Sequence, residues 1–218
     1  MELWQAINTV RVVREFSEEP ISEEDLERIL NAARRTGSSK NDQHWAFVIV
    51  RDRDHLRELA AVGHYAGHLA GATVAVAIVT PDASGHYNNS VMWDSGRAAQ
   101  NMVLAAWELG IGSVPATVYD HALASRLLGL PDDRRCDFLL SFGHPADSAK
   151  LTVPNRAGGR LPLSDLVHED RWWRSTRHHE AGVGVTRAPA QRHRLSNGQS
   201  RDARNEGGTR TCVACSNA

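Results

Sequence analysis

Three clusters of cationic and small polar residues stand where turns are expected, and they are the parts of the 218-residue chain that could do chemistry. The first is Thr9-Val10-Arg11-Val12-Val13-Arg14-Glu15-Phe16, with arginines three residues apart. On a helical turn that spacing would put both guanidinium groups on one face, able to fork onto a phosphate or to compensate negative charge on a ring. The plainer alternative is a solvated pair matched with Glu15, Glu18 or Glu19. The second is Gly37-Ser38-Ser39-Lys40-Asn41-Asp42-Gln43-His44-Trp45, a polar loop that leads into an apolar run. Its hydroxyls and amides offer neutral donors and acceptors to the edge of a heterocycle, although an ordinary turn uses the same residue types. The third is Arg156-Ala157-Gly158-Gly159-Arg160-Leu161-Pro162-Leu163, where two glycines free the backbone so that a phosphate could approach Arg160 closely. Viewed alone it is a basic loop.

The sequence has no G-x-G-x-x-G after an expected strand, and no G-x-x-x-x-G-K-[ST], G-x-S-x-G or H-E-x-x-H. Rossmann, P-loop, hydrolase and zincin readings therefore lose their best support, and the remaining residue set suits an anionic cofactor better than nucleophilic catalysis. His64 and His68 have a spacing that could present two metal ligands, but no third ligand stands near them and no metal is expected. Gly63, Gly67 and Gly71 recur every four residues, which suggests close packing or a loose loop. Tyr65 and Trp93 could stack on an aromatic substrate, with packing favoured. Cys136 precedes an apolar run and reads as an inert core thiol.

The elements that must position these clusters follow from periodicity. Ser22-Glu23-Glu24-Asp25 reads as a capped helix start, followed by Leu26, Ile29, Leu30 and Ala33 at helical spacing and a stop near Gly37. Trp45 to Val50 and Thr73 to Thr80 are short, apolar and β-branched, and predict buried strands. Asp94 is expected to cap a helix running to Leu109 that is apolar on nearly every side and so buried all round, in a core or at a subunit interface. Ser113 to Tyr119 looks extended, Asp120 to Leu128 helical up to Gly129, Phe138 to Phe142 a fourth strand, and Leu163 to Val167 a last short helix. Helices alternating with four apolar strands favour a three-layer α/β or α+β sandwich.

Composition sets the boundaries. An apolar fraction of 41% with 23% charged residues predicts a packed core. The longest apolar stretch, Leu69 to Val79, spans 11 residues where a bilayer needs about 20, so no membrane span is expected. The start of the chain lacks the basic and apolar parts of a secretory signal, and three cysteines are too few for a disulfide framework, so a cytoplasmic protein is expected. A formal charge of −1 conceals a split: residues 1–173 carry 17 basic and 23 acidic side chains, and residues 174–218 carry 8 and 3. The second part has no aromatic residue and no apolar period, and reads as a disordered basic tail after a domain at 1–173. Its Cys212-Val-Ala-Cys215 is read as idle, and its scattered arginines make nucleic acid an unlikely partner.

Taken together and in this order, the clusters resemble the nitroreductase family of flavin-dependent oxidoreductases over about residues 3–173. Arg11 to Phe16 is similar to its R-x-x-R-x-F signature, and Ser38 to Phe47 to its S-x-x-N-x-Q-P-W-x-F segment. Asp94 to Gly112 resembles its long dimer-core helix, Phe142-Gly143-His144-Pro145 its G-Y-P turn, and Arg160-Leu161-Pro162-Leu163 its terminal R-x-P-L. The resemblance implies an α+β fold, a three-layer α/β/α sandwich with a central, mainly antiparallel sheet flanked by helices. It also implies a homodimer with FMN in two interfacial clefts, and hydride transfer from NADH or NADPH through the flavin to a small electron-poor acceptor such as a nitroaromatic or quinone. Arg11 and Arg160 would then hold the FMN phosphate, with Val12 beside them and Arg14 near the N1/O2 edge of the ring. Ser38, Ser39, Asn41 and Gln43 would approach from the partner subunit, and Pro115, Ala116 and Thr117 would present backbone amides near N5. No side chain need act as a base, because the cofactor carries the redox step. Val10 and Val12 stand where many members have polar phosphate donors, which keeps open a non-catalytic flavin-binding or interaction protein on the same dimeric fold.

Overall fold

A computed structural model of the chain describes residues 1–83, 85–151 and 159–172. The tail at 174–218 with Cys212 and Cys215, and Arg156, Ala157 and Gly158 of the third cluster, lie outside the described residues. The chain divides into two units, Met1–Pro162 and Leu163–Ala218. Within the described part of the second, Leu163–Asp165 form a single 3-10 turn in place of the expected short helix.

In the first unit, helix starts follow the side-chain oxygens that can satisfy the leading amides. After α1 (Leu3–Thr9), Ser22 caps α2 (Glu23–Arg34) by accepting the Asp25 N–H at 3.0 Å. Asp52 caps α3 (Arg53–Leu59), and Asp120 caps α5 (His121–Leu128), whose end is closed by Gly129 in the left-handed conformation at φ 64°. The strands are β1 (Ala46–Val50), β2 (Val74–Pro81), β3 (Gly112–Thr117) and β4 (Arg134–Gly143). They form a four-stranded sheet in the order β1-β2-β4-β3 with every neighbouring pair antiparallel.

The period of two along β2 sorts its side chains into two cores. Val74, Val76 and Ile78 pack with Leu26, Ile29 and Ala33 of α2 and with Ala98, Met102 and Ala106 of α4 (Gly85–Glu108). Ala75 and Ala77 pack on the other face with Leu56 and Leu59 of α3 and Ala124 of α5. The result is the three-layer α+β sandwich with a central antiparallel sheet. A third, smaller cluster joins Ala6, Val13 and Trp107, with the Trp107 indole N–H donating to Thr9 Oγ1 at 2.9 Å. Cys136 is 1% exposed, and burial pushes its thiol up to about 12, as an inert core cysteine requires.

One expectation is corrected. Asp94 caps nothing: α4 begins nine residues earlier, at Gly85, and Asp94 lies inside it, 2% exposed. Polar residues such as Asn88, Asn89 and Ser90 hid those first turns. In the single chain Ala98, Met102 and Ala106 of α4 are buried in the core, while Trp93, Gly96, Arg97 and Gln100 are exposed. Among the described residues no helix is long and apolar enough to cross a membrane.

Two glycines set how the chain between α1 and α2 meets the sheet. A Cβ on Gly112 would meet Val13 Cβ at 2.7 Å, and one on Gly143 would meet the Phe16 ring at 2.8 Å. Gly112→Ala should therefore lower unfolding stability by about 1–3 kcal/mol through overpacking, as measured by urea titration. Gly67→Ala, where a Cβ would meet nothing within 4 Å, is the control and should change stability by less than about 0.5 kcal/mol.

A cleft that joins the first and third clusters

Residues 10–16 are extended, not helical. Val13 N donates to Ser113 O at 3.0 Å, Val12 bridges Ser113 in parallel, and Phe16 bridges Pro145. In an extended chain, positions three apart face opposite sides, which corrects the expectation that Arg11 and Arg14 share a face. Arg11 is partly buried and lines a cavity of about 750 Å³; Arg14 is exposed and is not among its lining residues.

Arg160 lines the same cavity, so residues from near the two ends of the first unit converge there. Parts of the remaining wall come from α1, from Val12, from Ser113 and Pro115 of β3, and from Gly96, Gln100 and Val103 of α4. Among the described residues, no carboxylate or imidazole belongs to the lining. A second, almost wholly apolar space of about 190 Å³ lies between α4 and the sheet and shares Gly96, Ala99, Pro115 and Leu140 with the first. Ile78, Met92 and Phe138 supply its apolar walls, Thr80 and Asp137 also line it, and the buried Ser95 hydroxyl at its side has no hydrogen-bond partner.

Backbone alternation decides what β3 offers to the cleft. Ser113 O accepts from Val13 outside the sheet, whereas Val118 N donates inward to Asp137 O at 2.9 Å. Ser113, Pro115 and Thr117 thus turn their backbone groups to the outer edge, and Ala116 turns its own toward β4. Proline has no N–H, so beyond Ser113 the donor on that edge is Thr117.

The 37–43 loop is placed elsewhere. Ser38 and Ser39 border a separate groove with Trp93, Asp94 and Arg97, and Gln43 lies beside Trp45; neither Asn41 nor Gln43 lines the arginine cleft of its own chain. Lys40, Asn41 and Gln43 have φ of 52°, 61° and 49°, a region that side chains adopt only when neighbours hold them there. Sequence reasoning missed Gln100 as a wall of the cleft, although Gly96, Gln100 and Val103 recur at helical spacing on an otherwise apolar segment.

His68 is not among the residues that line the cavity, but it contacts the strands that wall it. Its Nδ1 lies 2.8 Å from Ser141 Oγ, and Ser141 is completely buried. Burial chiefly, and the Arg14 charge secondarily, lower its pKa from the ordinary histidine value of 6.5; the Pro115 backbone opposes them. Nε2 is buried without a hydrogen bond of acceptable geometry. His64 stacks on Tyr119 at 4.8 Å between ring centroids, so the two histidines serve different contacts.

The model of the nitroreductase family matches residues 8–64 and 60–144. A candidate NADH dehydrogenase/NAD(P)H nitroreductase of Archaeoglobus fulgidus is 34% identical over 177 residues, which cover 78% of this chain and 99% of that protein. Among solved structures, a candidate nitroreductase of Desulfovibrio desulfuricans in complex with FMN superposes with a TM-score of 0.65 at 27% identity, over 79% of this chain and 98% of that one. The NADPH:FMN oxidoreductase of Vibrio harveyi complexed with NAD+ gives 0.69 at 26% identity, over 79% of each chain.

The lowered His68 pKa has a definite sign. An unfolded histidine takes up a proton below about pH 6.5 while the folded one resists, so the contribution to stability is complete above that pH and is lost as pH falls toward the lowered folded value. His68→Asn, which can keep a partner for Ser141, should therefore lose less stability between pH 7 and pH 5 than the wild type, as read from paired urea titrations. Equal losses would remove the histidine from the pH response.

Proposed function

Because the chain belongs to the nitroreductase family, we propose that it is an FMN-dependent oxidoreductase that passes hydride from NADH or NADPH to a small electron-poor acceptor such as a nitroaromatic or quinone. The observation that carries this reading is the convergence of Arg11 and Arg160 on one cavity whose described lining has no carboxylate or imidazole and which adjoins a mostly apolar annex. A ligand with an anionic group at one end and a fused apolar ring at the other fits that gradient. FMN, when bound, supplies the two-electron redox chemistry that the side chains lack.

The chain's own residues bind and tune. Arg11 and Arg160 grip the phosphate by charge-assisted hydrogen bonds, with the backbone of Val12 beside them. The Thr117 N–H at the β3 edge serves the ring's central portion; Pro115 forms wall, and Ala116 is committed to the sheet. Arg14 lies outside the lining, but its charge reaches His68 beside Pro115, and from there it acts at a distance as a fixed positive charge toward the ring edge that becomes more negative on reduction. Ser38, Ser39, Asn41 and Gln43 reach the cofactor of a second copy, which gives a homodimer with two clefts. The exposed Leu3 and Trp4 of α1, at 67% and 73%, are apolar side chains of the kind a second copy covers.

The purified protein should be yellow, and NADH or NADPH should bleach it anaerobically, with air restoring the colour. A yellow protein that neither nicotinamide bleaches would be a non-catalytic flavin-binding protein on the same fold. Arg160→Ala should weaken FMN retention by about tenfold to a hundredfold, the loss of one charge-assisted contact, and by more than Arg14→Ala does. Arg14→Ala should chiefly lower the flavin midpoint potential. Fluorescence titration with FMN checks the first pair, and equal affinities in both variants and wild type would remove these roles.

A further inference from the structure

The strained loop at 37–44 is held by one helix. Asp94 Oδ2 accepts the Ser39 N–H at 2.7 Å, Arg97 donates to Gly37 O at 3.1 Å, and the Tyr87 hydroxyl lies 3.0 Å from His44 Nδ1. Ser38 Oγ accepts the Gln43 N–H at 2.9 Å within the loop. At about 100° per residue, Tyr87, Asp94 and Arg97 fall on one side of α4, and Gly96, Gln100 and Val103, which line the arginine cleft, fall on the other. Asp94 is the buried member of the set, 2% exposed, with Oδ1 3.6 Å from Arg97 Nη1. A carboxylate withdrawn from water in this way is stable only when partnered, and its partners here are a loop amide and the guanidinium that also ties that loop.

We propose that Asp94 is the positioning residue through which each subunit presents Ser38, Ser39 and Asn41 to its partner's cofactor, so that its carboxylate governs flavin retention across the dimer interface. This rests on the two-cleft flavin dimer proposed above. Helix α4 then serves its own cleft with one side and the partner's with the other. Without the carboxylate the Ser39 N–H loses its acceptor, and Lys40, Asn41 and Gln43 are free to leave their left-handed conformations.

Mixed dimers assembled from differently tagged subunits test the direction of the effect, with FMN as the probe. In a dimer of an Asp94→Ala subunit with an Arg160→Ala subunit, one cleft is whole if Asp94 acts across the interface. It belongs to the Asp94→Ala subunit, which keeps its own arginines and receives an intact loop. One FMN per dimer should bind with wild-type affinity. In a dimer of the doubly substituted subunit with a wild-type subunit neither cleft is whole, and affinity at both should fall about tenfold to a hundredfold. The reverse pattern would place Asp94 in the service of its own cleft and overturn the proposal, as would wild-type FMN affinity in the Asp94→Ala homodimer. Asp94→Leu, close in size and without an acceptor for the Ser39 N–H, replaces the alanine variant if that one does not fold, and the same pattern is expected of it. A wild-type protein that is monomeric or binds no FMN would instead remove the dimeric flavin cleft itself, a result that needs no Asp94 variant to read.

Discussion

The close approach of residues 12–16 to the ends of β3 and β4 decides where every other part of the cleft can be. It exists because Gly112 and Gly143 have no Cβ: the Val13 side chain and the Phe16 ring occupy the space one would fill. With those contacts made, Val13 N can reach Ser113 O, Ser17 N can reach His144 O, and Ala146 N can reach Glu15 O, at 3.0, 2.8 and 3.0 Å. The chain is thereby stitched to the sheet on both sides of Arg14. The direction of Arg11 follows from that seam and not from the helix before it. Trp107 completes the arrangement, for it packs with Val13 and Ala6 while its N–H holds Thr9 at the end of α1. A helix end, an arginine and an edge strand are fixed relative to one another by a few contacts that each need a particular residue.

The middle of the sheet explains why this edge can be specialised. β2 is buried along nearly its whole length, with larger side chains toward α2 and α4 and alanines toward α3 and α5. Small residues on one face bring the α3 side close, and the larger ones on the other leave the volume that α4 spans. Where α4 passes beyond the filled part of that core, at Gly96 and Ala99, the apolar annex opens beside the cleft. The cavity is thus a consequence of a long helix crossing a short sheet.

Sequence periodicity revealed the strands and the capped helices because their signals are local: Ser22 with its following acids, Asp120 with Gly129, the β-branched run before Thr80. It revealed two of the cleft's arginines because residue type alone restricts what a guanidinium can do. It misplaced the start of α4, since Asn88, Asn89 and Ser90 are poor helix formers that tertiary contacts override, and it misread Asp94, because an aspartate ahead of an apolar run usually caps a helix. The distinction between a capping carboxylate and one that reaches out to the amide of Ser39 is long-range, and no local pattern carries it. The extended course of residues 10–16 was equally hidden, as it depends on glycines about a hundred and thirty residues away in the chain at most.

Net charge and local charge point in opposite directions in this protein, and the distances decide between them. Residues 1–173 sum to 17 positive and 23 negative side chains, which alone would repel an anion. At physiological ionic strength, however, charges more than about 8 Å away are largely screened, whereas contact pairs within a cavity are not. Acidic residues are matched with their own cations: Asp137, which lines the annex, with Arg135 at 2.6 Å, and, away from the cleft, Glu23 with Arg51 at 2.7 Å and Glu108 with Arg28 at 2.8 Å. Among the described residues, the cleft lining contains Arg11 and Arg160 and no carboxylate. The cleft is therefore a locally cationic surface on a globally acidic body, and under the proposed function a phosphate would be selected by the few side chains that the seam on β3 and the turn at Gly159 bring together.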